Sequence, residues 1–325
     1  MVLSLEVGLM NNVETHNSGD PYKVIDNIER AKADNLDVIV GPEWSLTHSP
    51  KILPYEEFKS KSEGEILDAL FDTDSSLTYA PRDAKKILEK QLSDGTLKFG
   101  YGGLYPLRKF IERTGNLPQA YTKTKRIHFN GEAALKVVNV PRVPYSKREY
   151  FRLLDTIRRQ SADSDLLVIP GTAMYYDHNL NLHNVAPILH DGKVLKSFHK
   201  LSDGGSSSFS LNGALKLYPD PYEGSSLEAY GINPNIYFRG LKVGVEICAD
   251  SGILKNDYRI NDLDLQVLVS CGIIESLPAT KPSGYISVVD GCKDVSLSVS
   301  RRGRELKPGR RDMYMDIFRL KYNIR

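Results

Sequence analysis

Cysteine is scarce in this chain, with three among 325 residues, Cys248, Cys271 and Cys292. An odd, low count in a chain long enough to bury a core argues against a disulfide framework and for reduced thiols in a cytoplasmic setting. Charge of one sign is lacking too. Lys and Arg number 43 against 41 Asp and Glu, a net charge of +2, so no global field favours nucleic acid or an anionic membrane. Long apolar runs are missing as well: nothing approaches the roughly 20 consecutive residues of a membrane span. The segment Met1-Val2-Leu3-Ser4-Leu5-Glu6-Val7 has neither a basic start nor an extended apolar core and reads as a first strand rather than a signal peptide. The histidines at 16, 48, 128, 178, 183, 190 and 199 show no metal-ligand spacing. Gly100 to Gly103 lacks the Gly-Lys-Ser/Thr ending of a phosphate loop. No metal and no organic cofactor is expected.

What is present suits a single layered α/β unit, with 41% hydrophobic and 26% charged residues. After the first strand, Asp20-Pro21 supplies a helix cap and a first-turn proline. Val24, Ile25, Ile28 and Ala31 follow at helical spacing, with Asn35 as the stop. The short apolar strand Leu36 to Val40 runs into Gly41-Pro42-Glu43-Trp44, which places a carboxylate at a strand's carboxyl end, where open α/β sheets tend to bind ligands. From about residue 50 to 145 the pattern breaks up. Pro81 to Leu92 reads as a helix, and Lys98 to Tyr105 and Arg126 to Phe129 as short strands, within what is expected to be an insertion or lid.

Regular alternation resumes at Ser146-Lys147-Arg148-Glu149, which fits a capping box, with Phe151, Leu154 and Ile157 on one helical face. Leu166 to Ile169 is a buried-type strand ending at Pro170-Gly171. Asn184 to His190 and Lys193 to Lys200 flank Asp191-Gly192, a type I′ hairpin signal, and a second hairpin from Ile236 to Ile247 turns at Arg239-Gly240. Leu265 to Ser270 is a further buried strand. The basic cluster Arg301-Arg302-Gly303-Arg304-Glu305-Leu306-Lys307-Pro308-Gly309-Arg310-Arg311 lies in residues 294–325, read as a surface-wrapping extension rather than a nucleic-acid strip.

Three of these strands end on groups able to do chemistry. Leu241, Val243, Val245 and Ile247 alternate with Lys242, Gly244, Glu246 and Cys248, so Cys248 should end its strand on the polar face, presented like a nucleophile. Glu43 and Lys200 end two others. Taken singly, each has an ordinary explanation: a buried core thiol, a surface carboxylate, a solvated lysine. Together they place a base, a cation and a thiol at the ends of strands in one sheet system.

Three blocks in order then resemble the nitrilase superfamily, the carbon–nitrogen hydrolases. They are Asp37-Val38-Ile39-Val40-Gly41-Pro42-Glu43, the hairpin from Asn184 to Leu201, and Gly244-Val245-Glu246-Ile247-Cys248-Ala249-Asp250, with Gly171 leading into the second. The resemblance extends over residues 2–46 and 165–275 and implies an α-β-β-α sandwich. It implies Cys248 as nucleophile, Glu43 as general base, and Lys200 with the backbone N–H of Ala249 stabilising an oxyanion. Many members carry a second glutamate between the lysine and cysteine blocks, for which Glu223 is the candidate and Glu228 the fallback. Trp44, Glu246 and Cys271 are candidates for the substrate pocket, Glu246 alternatively capping a local network.

The implied activity is amidase-type hydrolysis of a small-molecule amide or nitrile through a cysteine thioester, with carbamoyl cleavage using the same apparatus. The alternative is a nitrilase-fold ligand-binding or signalling module. A homodimer or higher homo-oligomer is implied too. The domain is expected to span residues 1–293. Ala249 stands where an aromatic is frequent, and Phe198-His199 precede Lys200 where arginine is frequent. The Ser/Gly-rich segment 202–208 is expected to join the lid.

Overall fold

The computed structural model describes residues 2–13, 19–47, 128–129, 132–133, 145–177, 181–201, 216–217, 235–273, 275–291 and 296–323. The first strands are β1 (Val2–Met10), β2 (Val38–Val40), β3 (His128–Phe129), β4 (Glu132–Ala133), β5 (Tyr145–Ser146) and β6 (Leu167–Ile169). Then come β7 (Ala173–Tyr176), β8 (Asn181–His190), β9 (Lys193–His199), β10 (Lys216–Leu217), β11 (Asn235–Phe238) and β12 (Leu241–Ile247). The last are β13 (Leu263–Ser270), β14 (Thr280–Asp290), β15 (Ser296–Arg301), β16 (Arg304–Glu305), β17 (Arg310–Arg311) and β18 (Met315–Asn323). The helices are α1 (Pro21–Ala33), α2 (Lys147–Ser161) and α3 (Ile253–Asn256). The expected helix at Pro81 to Leu92, the strand at Lys98 to Tyr105 and the 202–208 loop lie outside the described residues, as do Glu223 and Glu228.

One sheet runs β17-β18-β1-β2-β6-β8-β7-β5, with β9 and β10 on the other edge of β8. The second runs β11-β12-β13-β14-β15-β16, and β12, β13 and β14 are parallel. The sheets face each other. Leu5, Val7, Val38, Val40, Leu167 and Ile169 from the first meet Val243, Val245, Ile247, Leu265, Val267 and Val269 from the second in one apolar core. Ile39 and Val168 point the other way, against Val24, Ile28, Ala31, Leu154 and Ile157 of α1 and α2. Strands covered on both faces read as continuous apolar runs, which is why β2 and β6 show no alternation.

The helical layer outside the first sheet forms as its sequence directs. Asp20 accepts from Tyr22 N and Lys23 N, Pro21 opens α1, and Asn35 leaves it at a positive φ of 54°. In α2 the buried face is Tyr150, Leu154, Ile157 and Ser161, and Phe151 is half exposed, a correction of one position to the expected face. Outside the second sheet, α3 and its surroundings supply the only helical cover among the described residues, through Leu254, Ile260, Leu263 and Ala279. The architecture is α/β, and that outer layer is thin. No helix among the described residues is long and apolar enough to cross a membrane.

Residues 296–323, expected as an extension, are instead strands of both sheets. β18 pairs antiparallel with β1 along nine residues, from Val2↔Asn323 to Met10↔Met315. The reason is an alternation that the basic count conceals: Phe318, Leu320 and Tyr322 are buried in the inter-sheet core, and Arg319 and Lys321 are exposed between them.

At the opposite ends of these strands, Arg239 in the β11–β12 turn bonds Asp37 and Asp165, just before β2 and β6. His190 Nε2 lies 2.9 Å from the other Asp165 oxygen. Asp165 is held below the usual carboxylate range by its bonds to His190 and Arg239.

Candidate active site

Glu43 follows β2 in a turn clamped to the residues after β6. Gly41 N donates to Ile169 O at 2.8 Å, Trp44 N to Thr172 Oγ1 at 2.9 Å, and Leu46 N to Thr172 O at 3.1 Å. Ser45 Oγ donates to Pro170 O. The two segments approach so closely that a Cβ on Gly171, which has φ +89°, would lie 1.9 Å from Pro42 O and 2.1 Å from Ser45 Oγ. Glu43 N also donates to Ser270 O at 3.2 Å, tying the turn to the end of β13 in the second sheet.

Lys200 follows β9. The Asp191-Gly192 turn, with φ values of 47° and 68°, sets the β8–β9 register, and Lys200 N donates to Asn184 O at 2.8 Å. Leu201 N donates to Asp250 Oδ2 at 2.8 Å, which joins this strand to the turn after Cys248.

Cys248 departs from its expected face. Strict alternation would group it with Gly244 and Glu246, both of which look outward, Gly244 against Leu254 and Leu263. Cys248 instead takes φ 46° and joins the inter-sheet core with Val245 and Ile247. A non-glycine residue in that conformation is uncommon, and such residues cluster where a side chain is aimed for function. Trp44, at φ 67°, is a second one beside the same site.

These turns bring the three side chains together. Glu43, Lys200 and Cys248 are 1%, 4% and 8% exposed. Lys200 Nζ donates to Glu43 Oε1 at 2.7 Å, and Asn184 Nδ2 donates to the same oxygen at 3.0 Å. Trp44 borders the cation, with its ring centroid 5.5 Å from Lys200 Nζ. Cys248 Sγ lies 3.9 Å from Cys271 O, so Cys271 meets the site through its backbone. Burial, then the charge of Glu43, push the Cys248 thiol up to about 12, against the pull of Lys200. Burial alone would lower the Lys200 ammonium, but Glu43, Cys248 and Asp250 together hold it above its ordinary value. The surroundings thus favour the neutral form of the thiol and the charged form of the lysine. A hydrogen bond from the thiol to the Glu43 carboxylate adds to its raised value.

Glu246 does not join them. Its Oε1 accepts from Gly252 N at 2.9 Å and Leu254 N at 3.1 Å, and its Oε2 from Gln266 Nε2 at 2.8 Å and Ser276 Oγ. Burial raises its pKa against these four donors. It braces the turn that follows the thiol rather than lining a pocket with it. Ala249 sits in that turn, a single 3-10 turn over Cys248–Asp250. Asn184 was not anticipated. Its signal was a lone amide beside the apolar run Val185-Ala186-Pro187-Ile188-Leu189. Among the described residues no three His, Cys, Asp or Glu side chains group as metal ligands.

No family model and no curated protein matches the chain. Solved structures do resemble it. Glutamine-dependent NAD+ synthetase from Acinetobacter baumannii aligns at TM-score 0.48 and 14% identity, with 99% of this chain covered. The chain spans only 46% of that synthetase's length. An amidase from Nesterenkonia sp. AN1 aligns at TM-score 0.46 and 11% identity, covering 99% of this chain and 93% of its own. Saccharomyces cerevisiae Nit3, a member of branch 10 of the nitrilase superfamily, aligns at TM-score 0.44 and 12% identity, covering 98% and 89%. Likeness at this level transfers no residue role.

Proposed function

We propose that this chain is a carbon–nitrogen hydrolase of the nitrilase superfamily, acting on a small amide through a thioester on Cys248. The observation that carries the reading is the convergence of a buried thiol, carboxylate and ammonium at the ends of β12, β2 and β9, with Lys200 Nζ 2.7 Å from Glu43 Oε1. In such a site Cys248 Sγ attacks the carbonyl carbon as its proton passes to Glu43. A thiol held at about 12 is no free thiolate, so attack and proton transfer go together. The negative charge on the substrate oxygen is met by Lys200 and by the backbone N–H of Ala249. Collapse breaks the C–N bond, and the amine leaves with the proton from Glu43. Water then gives its proton to Glu43 and attacks the thioester, releasing the acid and restoring the thiol. Nitriles and carbamoyl compounds use the same groups. Glu223, as a further catalytic carboxylate, and a homodimer or larger assembly belong to the proposal as well.

The test is alkylation with iodoacetamide, mapped by peptide mass spectrometry. Selective labelling of Cys248 over Cys271 and Cys292, lost in Glu43→Gln, is expected. An acyl adduct on Cys248 after incubation with a panel of amides should accompany it. Slow, equal labelling of all three thiols, with no adduct, would overturn the enzyme reading in favour of a ligand-binding module.

A further inference from the structure

We propose that Asn184 is a positioning residue that, with Lys200, occupies Oε1 of Glu43 and leaves proton transfer with Cys248 to Oε2. This rests on the reading of Glu43 as base and Cys248 as nucleophile. Asn184 is 1% exposed and sits on β8 directly across from the end of β9, where its carbonyl accepts from Lys200 N at 2.8 Å. The two side chains therefore reach the carboxylate from neighbouring strands. Nδ2 of the amide and Nζ of the ammonium lie 3.0 and 2.7 Å from one and the same oxygen. The amide orientation is fixed by chemistry, since the flipped rotamer would set Oδ1 against a carboxylate oxygen.

The second carboxylate oxygen is treated differently. Glu43 Oε2 is buried and takes no hydrogen bond from an amide, hydroxyl or ammonium among the described residues, and Asn184 Oδ1 is likewise without a donor. A buried carboxylate oxygen stripped of donors is the more basic of the pair, because nothing stabilises its charge. With both donors on Oε1, the lone pair left to receive the thiol proton is on Oε2. Lys200 alone would neutralise the carboxylate without fixing its rotation. A second donor from another strand prevents the carboxylate from turning its oxygens over.

The experiment follows the rate of Cys248 alkylation by iodoacetamide from pH 5 to 9 in the wild type, Asn184→Leu, Asn184→Asp and Glu43→Gln, each checked for a cooperative melt. Losing a donor disfavours an ionised carboxylate, so the acidic limb of the rate profile should move up by about one pH unit in Asn184→Leu. It should move further in Asn184→Asp, where two carboxylates compete. A residue that merely fills space would lower the rate without moving the limb. If Asn184→Leu does not fold, Asn184→Asp, of the same shape, carries the test. An unmoved limb in a folded Asn184 variant, with Glu43→Gln still slowed, overturns this proposal alone. A Glu43→Gln rate equal to wild type overturns the base reading on which it stands.

Discussion

Replacing His199 by Phe is expected to flatten the acid side of the stability profile. His199 ends β9 beside Lys200 but faces the helical layer, edge-on to His183 with ring centroids 5.5 Å apart. His183 in turn stacks on Tyr175 at 4.6 Å, and Tyr175 on Tyr150 at 4.5 Å. Burial first, then the neighbouring His183, lower the His199 pKa from 6.5 to about 4. The native protein thus keeps this ring neutral at a pH where the unfolded chain protonates it. Stability is present in full above pH 6.5 and is lost as pH falls toward 4. At about 1.4 kcal/mol per pH unit, the interval is worth about 3 kcal/mol. Urea unfolding at pH 7 and pH 4 measures it: the wild type should lose about 3 kcal/mol more than His199→Phe across that range. His183, lowered chiefly by its own burial, remains in both proteins, so the difference reports His199 together with its coupling to His183. Parallel pH dependences in wild type and variant would refute the argument, since they would mean that the His199 ring protonates in the native state as freely as in the unfolded chain.

Gly171→Ala should destabilise the fold by about 3–5 kcal/mol or block folding, because the new methyl meets Pro42 O and Ser45 Oγ at a positive φ. A loss below about 1 kcal/mol in urea unfolding would contradict the close packing of the two turns. Glu246→Leu should cost about 3–5 kcal/mol by leaving buried N–H groups of Gly252 and Leu254 unpaired, with Glu246→Gln intermediate. Denaturation curves for the two variants that coincide with wild type would show that this carboxylate is not the brace of the turn.

Much of the frame was legible because its signals are local. The apolar runs of β2, β6 and β13 and the Asp191-Gly192 and Arg239-Gly240 turns carry their conformations in a few adjacent residues. Glu43, Lys200 and Cys248 could be read as strand-end groups for the same reason, and they are neighbours in space. The face of Cys248 could not, since alternation holds only while φ stays negative, and at 46° the side chain swings to the other side of the sheet. Asn184 escaped notice because its meaning lies in a partner 141 positions away. The β18 strand was hidden by the charges on its exposed face. Phe151 and Tyr150 were exchanged because two adjacent aromatics fit a helical stripe about equally well until a sheet selects one.

The grip of Arg239 on Asp37 and Asp165 has a mechanical consequence. It fastens the tip of the hairpin that leads to the nucleophile onto the starts of the two strands that shape the carboxylate's turn. β12 covers seven residues from there to its reactive end, about 23 Å of extended chain. The far clasp and the near bond from Glu43 N to Ser270 O therefore act like hinge and latch on a closed book, so that the two covers cannot slide and the facing groups keep their spacing.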